Sequence, residues 1–344
     1  MSKKLKAAVV GCGGIAHYHF GRVKNFEDVE YVGFYDIIKA KAEKMATEKG
    51  EKGEGKAYDC YTSMLDEGKP DILYVCVPPD QHGTIELEAI KRGIHMMIQK
   101  PIATEISVAE KICDMATQHN IIISVGHQDR YLNLIDPMKD FLKGRKIGLV
   151  NGAWVGGIPM VYWWVRKSTS GGQIIEQNIH LYDMLRYLNG EPTTVYAAGG
   201  KGIVDPNALP IRGYDVEDYS AAAVTFKNGS IANIFTGCYL TEGGGMKLGL
   251  TFYANDGTLD YVLRHKITMT DKTGEKEIFV EKGENGIEPQ GLALDRTFIE
   301  AVKSNKIEDI QKIRSPYADS IKSLRFGLAA NESIETGKAV HLNL

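Results

Sequence analysis

The first residues with evident chemical potential are Gly11-Cys12-Gly13-Gly14-Ile15-Ala16, spaced G-x-G-x-x-A. They follow a short apolar run, Lys6 to Val10, and open a helix-like segment, Ile15 to Val23. In that setting each position has a physical task. Gly11 permits a tight turn, Gly13 lets backbone approach a pyrophosphate with no Cβ in the way, and Ala16 allows close helix–strand packing. Cys12, Gly14 and Ile15 complete the turn, and free N–H groups at the helix N-terminus are suited to phosphates. Asp36 lies twenty residues after Ala16, at the end of a second strand-like run, Val29 to Asp36. An acid there accepts hydrogen bonds from ribose hydroxyls and repels a 2′-phosphate. Ile37 and Ile38 supply no cation to receive such a phosphate, although Lys39 and Lys41 follow closely. The expected cofactor is NAD, ahead of NADP. The competing interpretation is a purely structural glycine turn, with Asp36 capping the next helix.

Lys100 follows the apolar run His95–Ile98 and precedes Pro101. That places it at the carboxyl end of a parallel strand, where ligands of open α/β sheets bind. An ammonium beside a reacting alcohol stabilises a developing alkoxide. An ordinary exposed lysine is the alternative. A third cluster begins at Gly171-Gly172. If Gln173 to Leu188 is helical, Glu176, His180 and Asp183 fall at i, i+4 and i+7 on one stripe. An imidazole between two acids suits a general base; a structural histidine in a salt-bridge stripe is the alternative. Tyr162, Trp163, Trp164 and Arg166 come just before this segment. Their rings and guanidinium suit stacking on sugars and bridging of hydroxyls, or a subunit interface. Arg130 and Tyr131 are candidates for the same cleft or for a structural inter-domain role. His17 and His19 are two apart on a helix and face different ways, so no metal site is expected.

Regular elements must position these groups. Through the first third, strand-like and helix-like segments alternate. Ile37–Lys49, Ile85–Lys91 and Val108–Gln118 read as helices, and Asp71–Val77 and Ile121–Val125 as buried strands stopped by turn residues. This βαβ rhythm implies a doubly wound parallel sheet. After Gly126 the character changes. Turn signals at Lys227-Asn228-Gly229, Asn255-Asp256-Gly257 and Lys272-Thr273-Gly274 imply hairpins and a mostly antiparallel sheet from about 148 to 282. Gly156-Gly157 and Gly243-Gly244-Gly245 read as loops, and Leu292–Ser304 and Tyr317–Glu335 as closing helices. The expected fold is an α/β Rossmann domain over 1–127, then an α+β domain with a large open sheet over 128–344.

The 344 residues carry a formal net charge of −3, with 43% hydrophobic and 25% charged residues. Such a balance gives no electrostatic reason for a nucleic-acid partner. No apolar run approaches the ~20 residues of a membrane helix. The basic Met1–Lys6 stretch leads into too short an apolar segment for a signal peptide. The five cysteines show neither C-x-x-C nor zinc-finger spacing. A cytoplasmic enzyme with reduced thiols is expected.

Taken together, these motifs resemble the glucose–fructose oxidoreductase / inositol dehydrogenase (Gfo/Idh/MocA) family. The resemblance includes the glycine turn, Pro78-Pro79-Asp80-Gln81-His82, Lys100-Pro101, Gly126 to Arg130, the Gly-Gly…His180-x-x-Asp183 segment and Ala329-Ala330-Asn331-Glu332-Ser333. It implies that Lys100 is the lysine of a catalytic Glu-Lys-Pro motif and that His180 is the acid/base. Glu176 and Asp183 fall on acids of the histidine motif. Val77, Pro78, Pro79, His82, Gln99 and Lys100 join the cofactor contacts, though His82 is also placed to cap a helix. Two departures stand out: the motif glutamate is Gln99, and the usual aspartate is the longer Glu176. The resemblance implies hydride transfer at a hydroxyl carbon of a sugar or polyol, and a homodimer or homotetramer formed through the C-terminal sheet. An NAD-retaining glycosidase and a dinucleotide-sensing regulator are its competitors.

Overall fold

The computed structural model describes residues 4–48, 55–240 and 245–344. Met1–Lys3, Lys49 and the Gly243-Gly244 pair lie outside the described residues. Two compact units are present: Met1–Tyr131 with Lys282–Ile321, and Leu132–Glu281 with Lys322–Leu344.

In the first unit, β1 (Leu5–Val10), β2 (Val29–Tyr35), β3 (Lys56–Ala57), β4 (Ile72–Val75), β5 (His95–Ile98) and β6 (Ile123–Val125) form one sheet, ordered β3-β2-β1-β4-β5-β6. Every pair is parallel. The central strands are apolar throughout because both faces are covered: Ala7 to Val10 and Ile72 to Val75 are all buried. The chain order reverses between β1 and β4, the switch point at which such sheets form a crevice.

Helix Pro289–Ser304 packs onto this unit. Its Leu294, Phe298 and Ile299 join Phe20, Phe34 and Tyr74 in one apolar cluster. Arg296 and Lys303 reach Asp28 at 3.0 and 2.7 Å. The sequence places everything beyond residue 127 in the second domain; in the structure, Lys282–Ile321 returns to the first unit. An amphipathic helix carries no mark of which sheet it will cover, and only the long-range contact decides.

The second unit holds β7 (Ile147–Val155), β8 (Pro192–Gly200), β9 (Tyr219–Phe226), β10 (Ile231–Gly237), β11 (Lys247–Ala254), β12 (Gly257–Val262), β13 (Lys266–Asp271), β14 (Gly274–Phe279) and β15 (Val340–His341). Their order is β14-β13-β12-β11-β7-β10-β9-β8-β15. Pairing is antiparallel except between β7 and β10. The three expected turns join β9 to β10, β11 to β12 and β13 to β14. A fourth hairpin, Leu263-Arg264-His265 between β12 and β13, carries no glycine and was not legible. One face of the sheet buries Val195, Val224, Ile234, Leu250 and Phe252 with Leu181, Leu185 and Phe326 from helices. The alternate residues point the other way, as the period of a strand requires, and Leu149, Tyr196, Ile231, Phe235 and Tyr253 are exposed there. Among the described residues, no helix is long and apolar enough to cross a membrane.

Candidate functional site

The sequence candidates of the first unit gather at the carboxyl edge of its parallel sheet. Gly11 follows β1 with φ +84, and a Cβ there would collide with the Cys76 carbonyl after β4. Only glycine fits both the conformation and the approach. Gly13 and Gly14 differ, since open space surrounds the position of each missing Cβ. Helix Gly14–Val23 begins there with no side-chain cap. Its first-turn N–H groups have no carbonyl within the helix to bond, the donors that suit an anion at a helix N-terminus. Ala16 is buried under the helix. The half-buried Asp36 directly follows β2. Its Oδ2 accepts from Cys12 N and its Oδ1 from Ile38 N, both at 2.8 Å. The carboxylate thus braces the glycine turn and also forms a turn at the head of the next helix, Lys39–Thr47. Each oxygen keeps a further lone pair for a ribose hydroxyl. These residues fit a dinucleotide. Burial, reinforced by the Asp36 carboxylate, pushes the Cys12 thiol up to about 12. At neutral pH it is therefore an inert filler of the turn.

Val77, Pro78 and Pro79 follow β4 at the same edge, and half-buried Lys100 follows β5. The Lys100–Pro101 peptide bond is cis. His82 is buried, and its Nδ1 lies 2.6 Å from Glu86 Oε1. Glu86 Oε2 in turn accepts from Gly83 N at 2.7 Å, capping helix Thr84–Lys91. The Nε2 of His82 is buried with no hydrogen-bond partner among the described residues. Gln99 is also buried, and its carboxamide is turned inward onto His19 and against Gly126. The expectation of a Gln99 side chain facing the cofactor is corrected accordingly. Arg130 is nearly fully buried and donates to Arg314 O at 2.7 Å and Asp319 Oδ2 at 2.6 Å. Tyr131 OH accepts from Arg314 N at 2.8 Å. Both side chains are thus engaged within the first unit.

The second unit arranges the histidine cluster. Gly171 and Gly172 both have positive φ, and a Cβ on Gly171 would strike Ile175. The following segment is not one straight helix. It runs Gln173–Glu176, breaks at Gln177-Asn178, and resumes as Ile179–Asn189. Two side chains pin the break to the end of β10: Gln173 Nε2 donates to Gly237 O at 2.7 Å, and Asn178 Nδ2 to Thr236 Oγ1 at 2.6 Å. His180 and Asp183 share the second piece, whereas Glu176 ends the first. The uniform i, i+4, i+7 stripe is thereby corrected.

Glu176 Oε2 accepts the indole N–H of Trp164 at 2.7 Å. Trp164 is almost fully buried in a small cluster with Val165, Leu209, Tyr214 and Val216. It offers no face to a sugar ring, contrary to the sequence expectation. Trp163 packs at the edge of the same cluster. Arg166 donates to Tyr162 O at 2.9 Å and Arg212 O at 3.3 Å, tying two loops together. Asp183 accepts from Ser323 Oγ at 2.5 Å, and Ser323 accepts from Arg186 Nε at 3.1 Å.

Two residues that sequence reasoning passed over frame His180. The Trp154 indole of β7 stacks on the imidazole, with ring centroids 5.8 Å apart and planes 15° apart. Arg264 places Nη2 3.3 Å from Nδ1 and 3.4 Å from Nε2. It sits at φ +52 in the unforeseen hairpin, a conformation uncommon outside glycine and worth a functional question. Among the described residues, no group of three or more His, Cys, Asp or Glu is placed to hold a metal ion.

Comparison with known proteins extends this picture. Residues 5–127 match the family model described as an oxidoreductase family with an NAD-binding Rossmann fold. Residues 146–260 match the GFO/IDH/MocA C-terminal domain. The chain is 22% identical to the myo-inositol 2-dehydrogenase of Thermotoga maritima, over 98% of each chain. A solved oxidoreductase from Agrobacterium radiobacter, in complex with NAD+, L-tartaric acid and magnesium, aligns with a TM-score of 0.83 at 18% identity, covering 98% of each chain. The WlbA dehydrogenase from Bordetella pertussis, in complex with NADH and UDP-GlcNAcA, aligns with a TM-score of 0.81 at 20% identity, covering 100% of this chain and 99% of that one. Both structural likenesses speak to the fold. The family models, covering the glycine-turn sheet and most of the open sheet in turn, show that the chain belongs to the Gfo/Idh/MocA oxidoreductases and carries their NAD-binding Rossmann domain.

Proposed function

We propose that this enzyme transfers hydride between NAD and a hydroxyl-bearing carbon of a sugar, polyol or sugar derivative. The observation that carries the reading is the edge of the first sheet. The Gly11 turn, the uncapped helix, Asp36 and Lys100 all stand at the carboxyl ends of its strands. The name of the Thermotoga maritima relative, a polyol dehydrogenase, supports the substrate class.

Gly11 to Ala16, Asp36, Val77, Pro78 and Pro79 are assigned to hold the dinucleotide. NAD, when bound, accepts or returns the hydride. Lys100 fixes the substrate hydroxyl and stabilises negative charge on its oxygen. His180 removes the hydroxyl proton during oxidation and restores it during reduction, a service typically worth ~10²–10⁴ in rate. Trp154 and Arg264 hold the imidazole plane, and the Ser323–Asp183 contact fixes the helix face beside it.

Absorbance in the near-ultraviolet tests the reading. The protein with NAD is challenged with polyols, sugars and sugar acids. NADH growing in proportion to substrate consumed is the expected result. Cleavage of a glycoside with no net NADH would replace it with a cofactor-retaining glycosidase. NADH binding without turnover on any member of the panel would replace it with a sensor.

An apolar patch on the outer face of the second sheet bears on assembly. Leu149, Ile231 and Phe235 lie on the adjacent strands β7 and β10, flanked by Tyr196 on β8 and Tyr253 on β11. Contiguous apolar patches of this kind mark interfaces. A second copy of the chain covers this face in our reading, giving a homodimer or homotetramer. Sedimentation equilibrium should return a multiple of the 38.0 kDa chain mass. A monomer mass for wild type, or an unchanged oligomer for Phe235→Glu, contradicts it.

A further inference from the structure

The residue before Lys100 leads into a buried polar chain. Gln99 meets His19 Nε2 through its carboxamide nitrogen. His19 Nδ1 lies 2.6 Å from Asp295 Oδ1. His19 and Asp295 are 2% and 0% exposed, so no water shares this contact at the surface. Arg22 Nη1 approaches the second oxygen, Asp295 Oδ2, at 3.5 Å. The Tyr74 ring lies against His19, with centroids 5.1 Å apart.

The donors and acceptors fall into one order. An ionised carboxylate can only accept, so His19 Nδ1 carries the proton. Nε2 then presents a lone pair, and the amide N–H of Gln99 donates to it. Gln99 gives to His19, and His19 gives to Asp295. A glutamate at position 99 has no N–H for this role and would require a proton on Nε2 as well. The backbone of the same residue is also fixed, since Gln99 N donates to Val75 O at 2.9 Å and Gly126 N to Ile98 O at 2.9 Å. Gly126 has no Cβ because the Gln99 carboxamide fills that place. Residue 99 is thus held by its side chain and its backbone, and Lys100 comes next.

We propose that Asp295 and His19 are positioning residues that act through Gln99 to set Lys100. Asp295 supplies, from helix Pro289–Ser304, the buried carboxylate that the Glu-Lys-Pro motif would carry at position 99. This rests on the assignment of Lys100 to the reaction. The charge has moved from the strand end to a helix nearly two hundred residues later, and a neutral imidazole joins the two places.

The experiment is a charge swap in the full-length protein: wild type, Asp295→Asn, Gln99→Glu and the double variant. Three quantities are read for each. They are NADH affinity by fluorescence, the His19 ring protonation by nitrogen-15 NMR, and kcat and KM on whichever polyol or sugar wild type turns over. In wild type, His19 is the neutral Nδ1–H form. Asp295→Asn lowers kcat about tenfold or more, with NADH affinity and KM changed by no more than about twofold. Adding Gln99→Glu gives His19 a carboxylate on its other nitrogen. The proton moves to Nε2, and kcat recovers to within about threefold of wild type. A merely structural Asp295 would lower melting temperature without this rescue.

An unchanged kcat in Asp295→Asn overturns the proposal. So does a folded, NADH-binding double variant no faster than Asp295→Asn, or an Nε2–H tautomer in wild type. Should Asp295→Asn not fold, the wild-type tautomer and the activity of the double variant decide. Should wild type bind NADH yet turn over nothing, the oxidoreductase assignment fails by itself. The hydrogen-bond order is then judged by the His19 tautomers alone.

Discussion

Lys100→Met lowers kcat by about 10²–10⁴-fold, the range lost with a positioned acid/base or charge-stabilising group, while NADH still binds with affinity within about threefold of wild type. The asymmetry follows from where the parts stand. The pyrophosphate contacts proposed above fall on the Gly11 turn and the uncapped helix after it, at the ends of other strands. Methionine keeps most of the length and apolar stem of lysine but none of its charge. It therefore removes stabilisation of an oxyanion without opening a large cavity. His180→Ala is expected to behave alike, since an imidazole framed by Trp154 and Arg264 is lost without disturbing the first sheet. Steady-state kinetics with a fluorescence titration of NADH separate the two effects. Turnover near wild type in either variant removes that residue from the mechanism. A collapse of NADH affinity equal to the loss of kcat would make Lys100 a cofactor contact instead.

The second large effect concerns cofactor choice. Asp36→Asn should shift the ratio of kcat/KM for NAD over NADP by about 10², since charge-assisted hydrogen bonds are worth ~1.5–3 kcal/mol and tenfold is ~1.4 kcal/mol. About half of that shift is a loss with NAD, because a neutral amide accepts more weakly from ribose hydroxyls. The rest is a gain with NADP, because the 2′-phosphate no longer meets a carboxylate. Lys39 is engaged with Asp59 at 2.7 Å. Lys41 acts electrostatically on Cys12 in the turn. Asparagine is the informative replacement because Oδ1 can still accept from one of Cys12 N and Ile38 N. Alanine would leave both donors without their side-chain acceptor and confuse binding with stability. Equal turnover with both cofactors in wild type, or an unchanged ratio in the variant, would remove Asp36 from cofactor discrimination.

Much of this enzyme could be read along the chain because the relevant demands are local. The Gly11 turn needs positive φ and no Cβ, and Asp36 follows at the end of the next strand. Lys100 marks a strand end by its own apolar run and proline. The hairpins at Asn228-Gly229, Asp256-Gly257 and Thr273-Gly274 announce themselves by turn residues. In each case a few consecutive residues determine the backbone geometry, so their types report it.

What remained hidden depends on partners far away in sequence. Trp164 looked like a sugar platform, but a loop cluster buries it and turns its N–H to Glu176. Trp154 and Arg264 meet His180 only because β7 and the β12–β13 hairpin come together beside one helix of the second unit. Asp295 reaches His19 only because helix Pro289–Ser304 returns to the first sheet. The sequence by itself determined the dinucleotide turn, the alternation of elements and the strand that ends in Lys100, since steric and hydrogen-bonding rules act on neighbours along the chain. Tertiary structure alone decided what surrounds His180 and which carboxylate stands behind Gln99. Those contacts are selected by sheet register and helix docking, and no short stretch of residues encodes them.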